Sequence, residues 1–253
     1  MKAQSVPRIL QAIGLACVTV GDMPCGTVLA RKPVAAAIVT LHLRDDGQRD
    51  VSIACLSDAR NLELPLPSLV NDALTDGAPI IVTEQDCEVL MIEAAARRFF
   101  VEPRLGTLAS GATLVDPVAM FRAGHDEMAL CRRLGIAVHA VSDIDVAHRW
   151  NHAAPAAAES VALSTAASRL KLWAHAASFL DGTPDAFFET LLPLRERLMD
   201  LEGERPELKT ILASRAFRRA ASFASFYRDY RARRDAGDDE ASWVTFEEGL
   251  FYV

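Results

Sequence analysis

The sequence predicts an α/β protein in which a mixed sheet is flanked by helices. Three observations carry this. Three apolar runs separated by turn-forming residues fill the first part of the chain with no helical pattern between them, as an antiparallel meander requires. Pro79-Ile80-Ile81-Val82-Thr83 is a short apolar run bounded by turn residues and followed by a helical pattern, as expected of a buried parallel strand. From Pro155 to Leu180 apolar residues recur at helical spacing. A meander followed by helix, strand and helices describes a mixed sheet with helices packed on it.

The elements follow in order. Leu10 to Val20 reads as the first strand, broken by Gly21-Asp22-Met23-Pro24. The run ends near Leu15-Ala16-Cys17, as a lipoprotein leader would. Only Lys2 and Arg8 precede it, however, Gln11 interrupts it and strand patterns resume soon after, so it is taken as a strand. Val34 to Leu43 is the second strand, Asp45-Asp46-Gly47-Gln48 a hairpin turn and Val51 to Leu56 the third strand. Pro67 to Leu74 is a short helix ending near Gly77. Asp86 to Phe100 is a helix with Val89, Leu90, Ala94 and Arg97 at helical spacing. Thr113 to Val115 is a further short strand, and His125 to Leu134 a helix stopped by Gly135. In Pro155 to Leu180 the residues Leu163, Ala166, Leu170, Trp173, Ala177 and Leu180 form one apolar stripe, closed by Gly182. Thr183 and Pro184 then start another helix, with Thr183 as N-cap and Pro184 at the first helical position.

Past Glu202 the composition shifts, so the chain is divided into a domain over 1–201 and an extension over 202–253. The extension opens with a helix rich in arginine and aromatic residues from Arg215 to Arg234. It ends in an acidic and aromatic tail, Asp238-Asp239-Glu240 and then Trp243 to Val253.

The balance of residue types narrows the function. A net charge of −7 argues against a protein whose whole surface coats nucleic acid, and leaves room for a local basic patch. Five scattered cysteines without zinc spacing fit free thiols in a reducing compartment, and a cytoplasmic location is expected. No apolar run approaches the ~18 residues of a membrane span, so no membrane partner is expected. His148 and His152 are four apart, but none of the six histidines sits in an HExxH pattern, and GxSxG, P-loop and GxGxxG motifs are missing.

Four stretches resemble one family, the 3′–5′ exonucleases of the DEDD type. The similarity is to a predicted bacterial group related to the proofreading domain of family-B polymerases, and it extends over roughly 12–200. Val18-Thr19-Val20-Gly21-Asp22-Met23-Pro24 is similar to that family's first strand, FDIETxPD. Ile81-Val82-Thr83 leading into Gln85 to Leu90 and Glu93-Ala94 is similar to its VTxNGxxFDLPVL segment, with the Asn-Gly loop shortened. Leu130 to Ile136 resembles a helix ending in LLGFPGK, and Ala162 to Gly182 a last helix of the form YCxxDVxNT. The resemblance implies a ribonuclease-H-like fold with a helical C-terminal extension.

It also implies chemistry that this chain has largely lost. Such enzymes cut a phosphodiester with two divalent cations about 3.5–4 Å apart, and hard cations such as Mg²⁺ or Mn²⁺ require oxygen ligands. The family's first-strand Asp and Glu fall on Thr19 and Gly21, its middle Asp on Asp86, its last-helix Asp on Ala166 and its Tyr on Ala162. Asp86 alone survives, and it is the remaining candidate metal ligand, alone or with Asp22 or Asp116. Equally, Asp86 reads as an acid at a helix N-terminus, favoured there by the helix dipole.

No intact catalytic residue set and no cofactor are therefore expected. The preferred reading is a degenerate exonuclease homologue serving as a nucleic-acid-associated binding or scaffold subunit in replication, repair or mobile-element biology. Single-stranded nucleic acid would be held by Arg215, Arg218, Arg219, Arg228 and Arg231, with Phe223, Tyr227 and Tyr230 on one helix face to stack bases. On the alternative reading of that helix, the aromatics pack on the body and the arginines are solvated. Two other functions stand beside the preferred one: an active, atypical exonuclease using Mg²⁺ or Mn²⁺, and a protein-interaction module. The module would bind through the tail or the former active-site groove.

Overall fold

The computed structural model describes residues 7–19, 31–45, 47–57, 64–96, 103–111, 114–121, 126–137, 145–147 and 155–237. Three long strands come first: β1 (Ile9–Thr19), β2 (Arg31–Leu43) and β3 (Arg49–Ser57). Helix α1 (Leu66–Ala73), strand β4 (Ile80–Ile81) and helix α2 (Glu84–Ala96) follow. The pattern continues with α3 (Pro103–Ala109), β5 (Leu114–Val115), α4 (Pro117–Met120) and α5 (Glu127–Arg133). The C-terminal half is helical: α6 (Pro155–Asp181), α7 (Asp185–Glu202), α8 (Leu208–Leu212), α9 (Arg215–Ser222) and α10 (Ala224–Asp235).

The strands form one sheet in the order β3-β2-β1-β4-β5. β1, β2 and β3 pair antiparallel, and β4 and β5 run parallel to β1. This is the mixed, helix-flanked sheet of a ribonuclease-H-like arrangement. The hairpin turn is where the sequence puts it: Gly47 takes φ 77° and donates its N–H to Arg44 O. Pro33 sits in β2 beyond the last residue paired to β3, and the register of β1 and β2 slips beside it, between Ala16 and Cys17. A proline lacks the N–H that a second neighbour would need, so it is confined to such places.

Strand β1 is apolar throughout because both its faces are covered. Leu10, Ala12 and Ala16 pack with α6 and α7, whereas Ile13, Leu15 and Cys17 pack with α1 and α2. Gln11 is the buried exception, and it is fully used. Its amide donates to Thr40 Oγ1 (3.0 Å) and Ala73 O (3.2 Å) and accepts from Thr75 N–H (2.8 Å). Gly14 marks the closest approach of strand and helix. A Cβ there would stand 2.2 Å from Ala162 O and 2.5 Å from Ala166 N. Position 14 is thus glycine because the α6 backbone rests on β1 there.

Helix α6 departs from its single predicted stripe, since residues all round it are buried, including Glu159, Arg169, Lys171 and His175. The sheet covers one side and the later helices cover the other. Leu208, Ile211, Ala216, Phe217, Ala220 and Tyr227 share the core of the sheet's α6 face, so the described part of the extension packs on the same body as the strands. The arginine-rich segment, expected as one helix, breaks at Phe223 (φ −106°) into α9 and α10. Helix α7 begins one residue later than its predicted start, with Pro184 at the cap and no side-chain capping bond. The short helices α3 and α4 are additions that the periodicity does not reveal.

Candidate functional site

In open α/β sheets the natural crevice lies where the strand order reverses, beyond the carboxyl ends of the parallel strands. Here that point is the end of β4 beside β1. Ile81 of β4 pairs with Ala12, so the crevice opens near Ile13 and Gly14.

Thr83 leaves β4 and its Oγ1 accepts the Asp86 N–H (3.2 Å), capping α2. Asp86 is buried, and its carboxylate faces Arg169 Nη1 at 2.8 Å and Arg31 Nη1 at 3.4 Å. Arg169 reaches this place from α6. Its Nη1 also donates to Ile13 O (2.7 Å), its Nε to Glu127 Oε1 (3.2 Å) and its Nη2 to Thr83 Oγ1 (3.3 Å). One guanidinium therefore ties β1, the end of β4, α2, α5 and α6 together. Burial by itself would lower the Arg169 pKa. Asp86 and Glu127 more than reverse this and hold it above the ordinary arginine value.

A cleft of about 790 Å³ lies against this knot. Helix α2 gives it Glu84, Cys87, Glu88 and Met91, at the i, i+3, i+4, i+7 spacing of a single helix face. Leu108, Leu114, Asp116, Val118 and Glu127 complete much of the wall. Burial, with Glu84, Asp86 and Glu88 nearby, pushes the Cys87 thiol up, away from the thiolate that a nucleophile requires. Asp116 Oδ1 accepts from Val118 N–H (2.8 Å) and Ala119 N–H (3.2 Å) as the N-cap of α4. Among the described residues no group of three or more His, Cys, Asp and Glu side chains is arranged to hold a metal ion.

The residues named from the sequence are dispersed. Asp86 lies at the crevice, but its neighbours are arginines. Thr19 ends β1 opposite Arg31. It is five residues beyond Gly14, or on the order of 16 Å along the strand. Ala162 and Ala166 belong to α6 and lie at the level of Gly14, five residues short of Thr19 along β1. Gly21 and Asp22 fall outside the described residues, as do His148, His152 and the tail from 238. Arg31, Glu127 and Arg169 are the residues of the candidate site that sequence reasoning missed. One signal was present: Arg169 stands inside an apolar helix, where a charge needs partners.

The arginine-rich helices resolve into two kinds of residue. Tyr227 is buried, stacks on Phe188 (4.6 Å between ring centres) and donates its hydroxyl to Asp185 (3.1 Å), so it is not open to a base. Phe223 and Tyr230 are half-buried against the same core. Arg231 pairs with Glu189 (2.9 Å), and Arg234 pairs with Asp185. Arg219 is half-buried, whereas Arg215, Arg218 and Arg228 are exposed. Among the described residues no helix is long and apolar enough to cross a membrane, and Cys17, Cys55, Cys87 and Cys131 form no disulfide there. In comparisons with known proteins, the chain matches no family model, no curated protein and no solved structure.

Proposed function

We propose that this chain is a catalytically inert protein on the ribonuclease-H-like plan, a degenerate exonuclease homologue that works as a binding or scaffold subunit in a reducing compartment such as the cytoplasm. The Arg169 guanidinium supports this reading. It lies among Asp86, Glu127, the Ile13 carbonyl and Thr83, in the crevice where the fold offers a site. Carboxylates at such a place serve a nuclease by binding cations, and here a cation that belongs to the chain already neutralises them. The test is a 3′-labelled single-stranded oligonucleotide incubated with Mg²⁺ or Mn²⁺. The label is expected to stay at full length. Shortening that survives purification and disappears in Asp86→Ala would overturn the reading.

A second reading, that the subunit touches single-stranded nucleic acid, draws on Arg215, Arg218 and Arg228. All three are exposed, and Phe226 is exposed beside them at 38%. The acidic cleft would repel a phosphate chain, so contact is assigned to α9 and α10. Fluorescence anisotropy of an oligonucleotide across a salt series is expected to give a slope that flattens by roughly 2 when the three arginines are replaced by alanine. A slope unchanged in the triple variant would remove them from the interface.

A further inference from the structure

The cleft beside the Arg169 knot is lined among the described residues mainly by carboxylates and apolar groups, with the hydroxyls of Thr83 and Ser110 and no lysine, arginine or histidine. Glu84, Glu88 and Asp116 are exposed at its rim, while Leu108 is buried and Met91 and Leu114 are half-buried in its wall. Leu114 belongs to β5, the edge strand of the sheet, so the cleft lies at the margin of the sheet. Its volume is within the ~300–1,000 Å³ of ligand-holding sites.

We propose that this cleft is the docking site for a basic amphipathic segment of a partner protein, with its apolar side chains against Met91, Leu108 and Leu114 and its lysines or arginines at Glu84, Glu88 and Asp116. The assignment rests on the inert reading, because an active centre would need this cleft for its substrate. Charge complementarity selects the occupant. Nucleic acid and acidic peptides meet like charge there, which disfavours their docking. A purely polar basic chain would leave the apolar wall in water. A segment with both characters satisfies both parts of the lining. Glu84, Glu88 and Met91 lie along a single face of α2, so one bound chain meets charge and apolar surface together.

The experiment uses the full chain and fluorescein-labelled peptides of about twelve residues. One alternates Lys and Leu, one Lys and Ser, and one Glu and Leu. The Lys/Leu peptide is expected to bind, the Glu/Leu peptide not at all, and the Lys/Ser peptide about tenfold more weakly than the first. The double variant Glu84→Lys, Glu88→Lys should lower Lys/Leu affinity at least about tenfold, and Met91→Ser should lower it several-fold. A control reversal at a distant acidic surface, Asp200→Lys with Glu204→Lys, should leave it unchanged. Equal binding of the two basic peptides, or wild-type affinity in the Glu84 and Glu88 variant, overturns the proposal. Preferential capture of a second copy of this chain, seen as dimerisation abolished by the same variant, also overturns it. If the docking site fails while the oligonucleotide stays intact, the inert reading stands. Shortened oligonucleotide sinks that reading whatever the peptides do.

Discussion

Arg169→Met is expected to destabilise the protein by about 3–5 kcal/mol, the usual cost of removing one partner from a buried ion network. The methionine fills similar space but leaves Asp86 and Glu127 without their shared cation, and Ile13 O without its donor. For a domain of this size the change should lower the melting temperature by roughly 10 °C. Arg169→Lys should recover little, because one ammonium cannot span the carbonyl, the hydroxyl and two carboxylates that the planar guanidinium joins. The triple replacement Arg169→Met, Asp86→Asn, Glu127→Gln should recover part of the loss, since both carboxylates are neutralised while Arg31 gives up its contact with Asp86. Denaturant unfolding at neutral pH measures all three. A cost below about 1 kcal/mol for Arg169→Met would mean that the knot is solvated like a surface pair.

Lys171→Met should do the opposite and stabilise. Lys171 is fully buried on α6, its Nζ has no hydrogen-bond partner among the described residues, and it lies 4.5 Å from the centre of the Phe217 ring. Burial pulls its pKa down to about 7, only partly opposed by Cys131 of α5. His175, one turn along α6, is itself held down to about 3 by burial and by Arg219 of α9, so it stays neutral and adds no second positive charge. The sign follows from the protons bound. Between pH 7 and 10.5 the unfolded lysine keeps a proton that the folded one has released, so stability rises with pH across that interval. Below pH 7 both states are protonated, and the cost of burying the ammonium is constant, on the order of 4 kcal/mol. Methionine removes it, and a gain of about 3 kcal/mol at pH 7 is expected, along with a flatter stability profile between pH 7 and 10. An unchanged profile in Lys171→Met would show that the ammonium is not the titrating group.

Both expectations come from charges within α6, and this helix separates what the sequence displays from what it hides. Its length, its stop at Gly182 and its apolar content are local properties, visible in the spacing of Leu163, Leu170 and Trp173. Its burial on every side depends on where α7 and α9 fold back, which no local pattern encodes. A helix seen as having one apolar stripe thus proves to hold an arginine, a lysine and a histidine inside the protein.

The site follows the same division. Asp86 is marked by its position at a helix start, but its meaning depends on partners from residues 31 and 169, brought together only by the fold. The short likeness around Thr19 places the first-strand positions there. Pairing of β4 with Gln11 and Ala12 instead places the crevice at Ile13 and Gly14, about five residues earlier. Register between strands is a long-range property, and a few residues along a strand move a position by well over 10 Å.

By itself, then, the sequence determined the mixed sheet flanked by helices, with its meander, its buried parallel strand and its helical extension. Apolar period and turn chemistry act over a few residues and can be read there. Only the tertiary structure decided that Asp86 is tied to an arginine, that Gly14 of β1 has no room for a Cβ against α6, and that the cleft against the Arg169 knot is acidic. Each of these depends on groups far apart in the chain meeting in a buried space, where an unpaired charge or a Cβ with no room costs too much to persist.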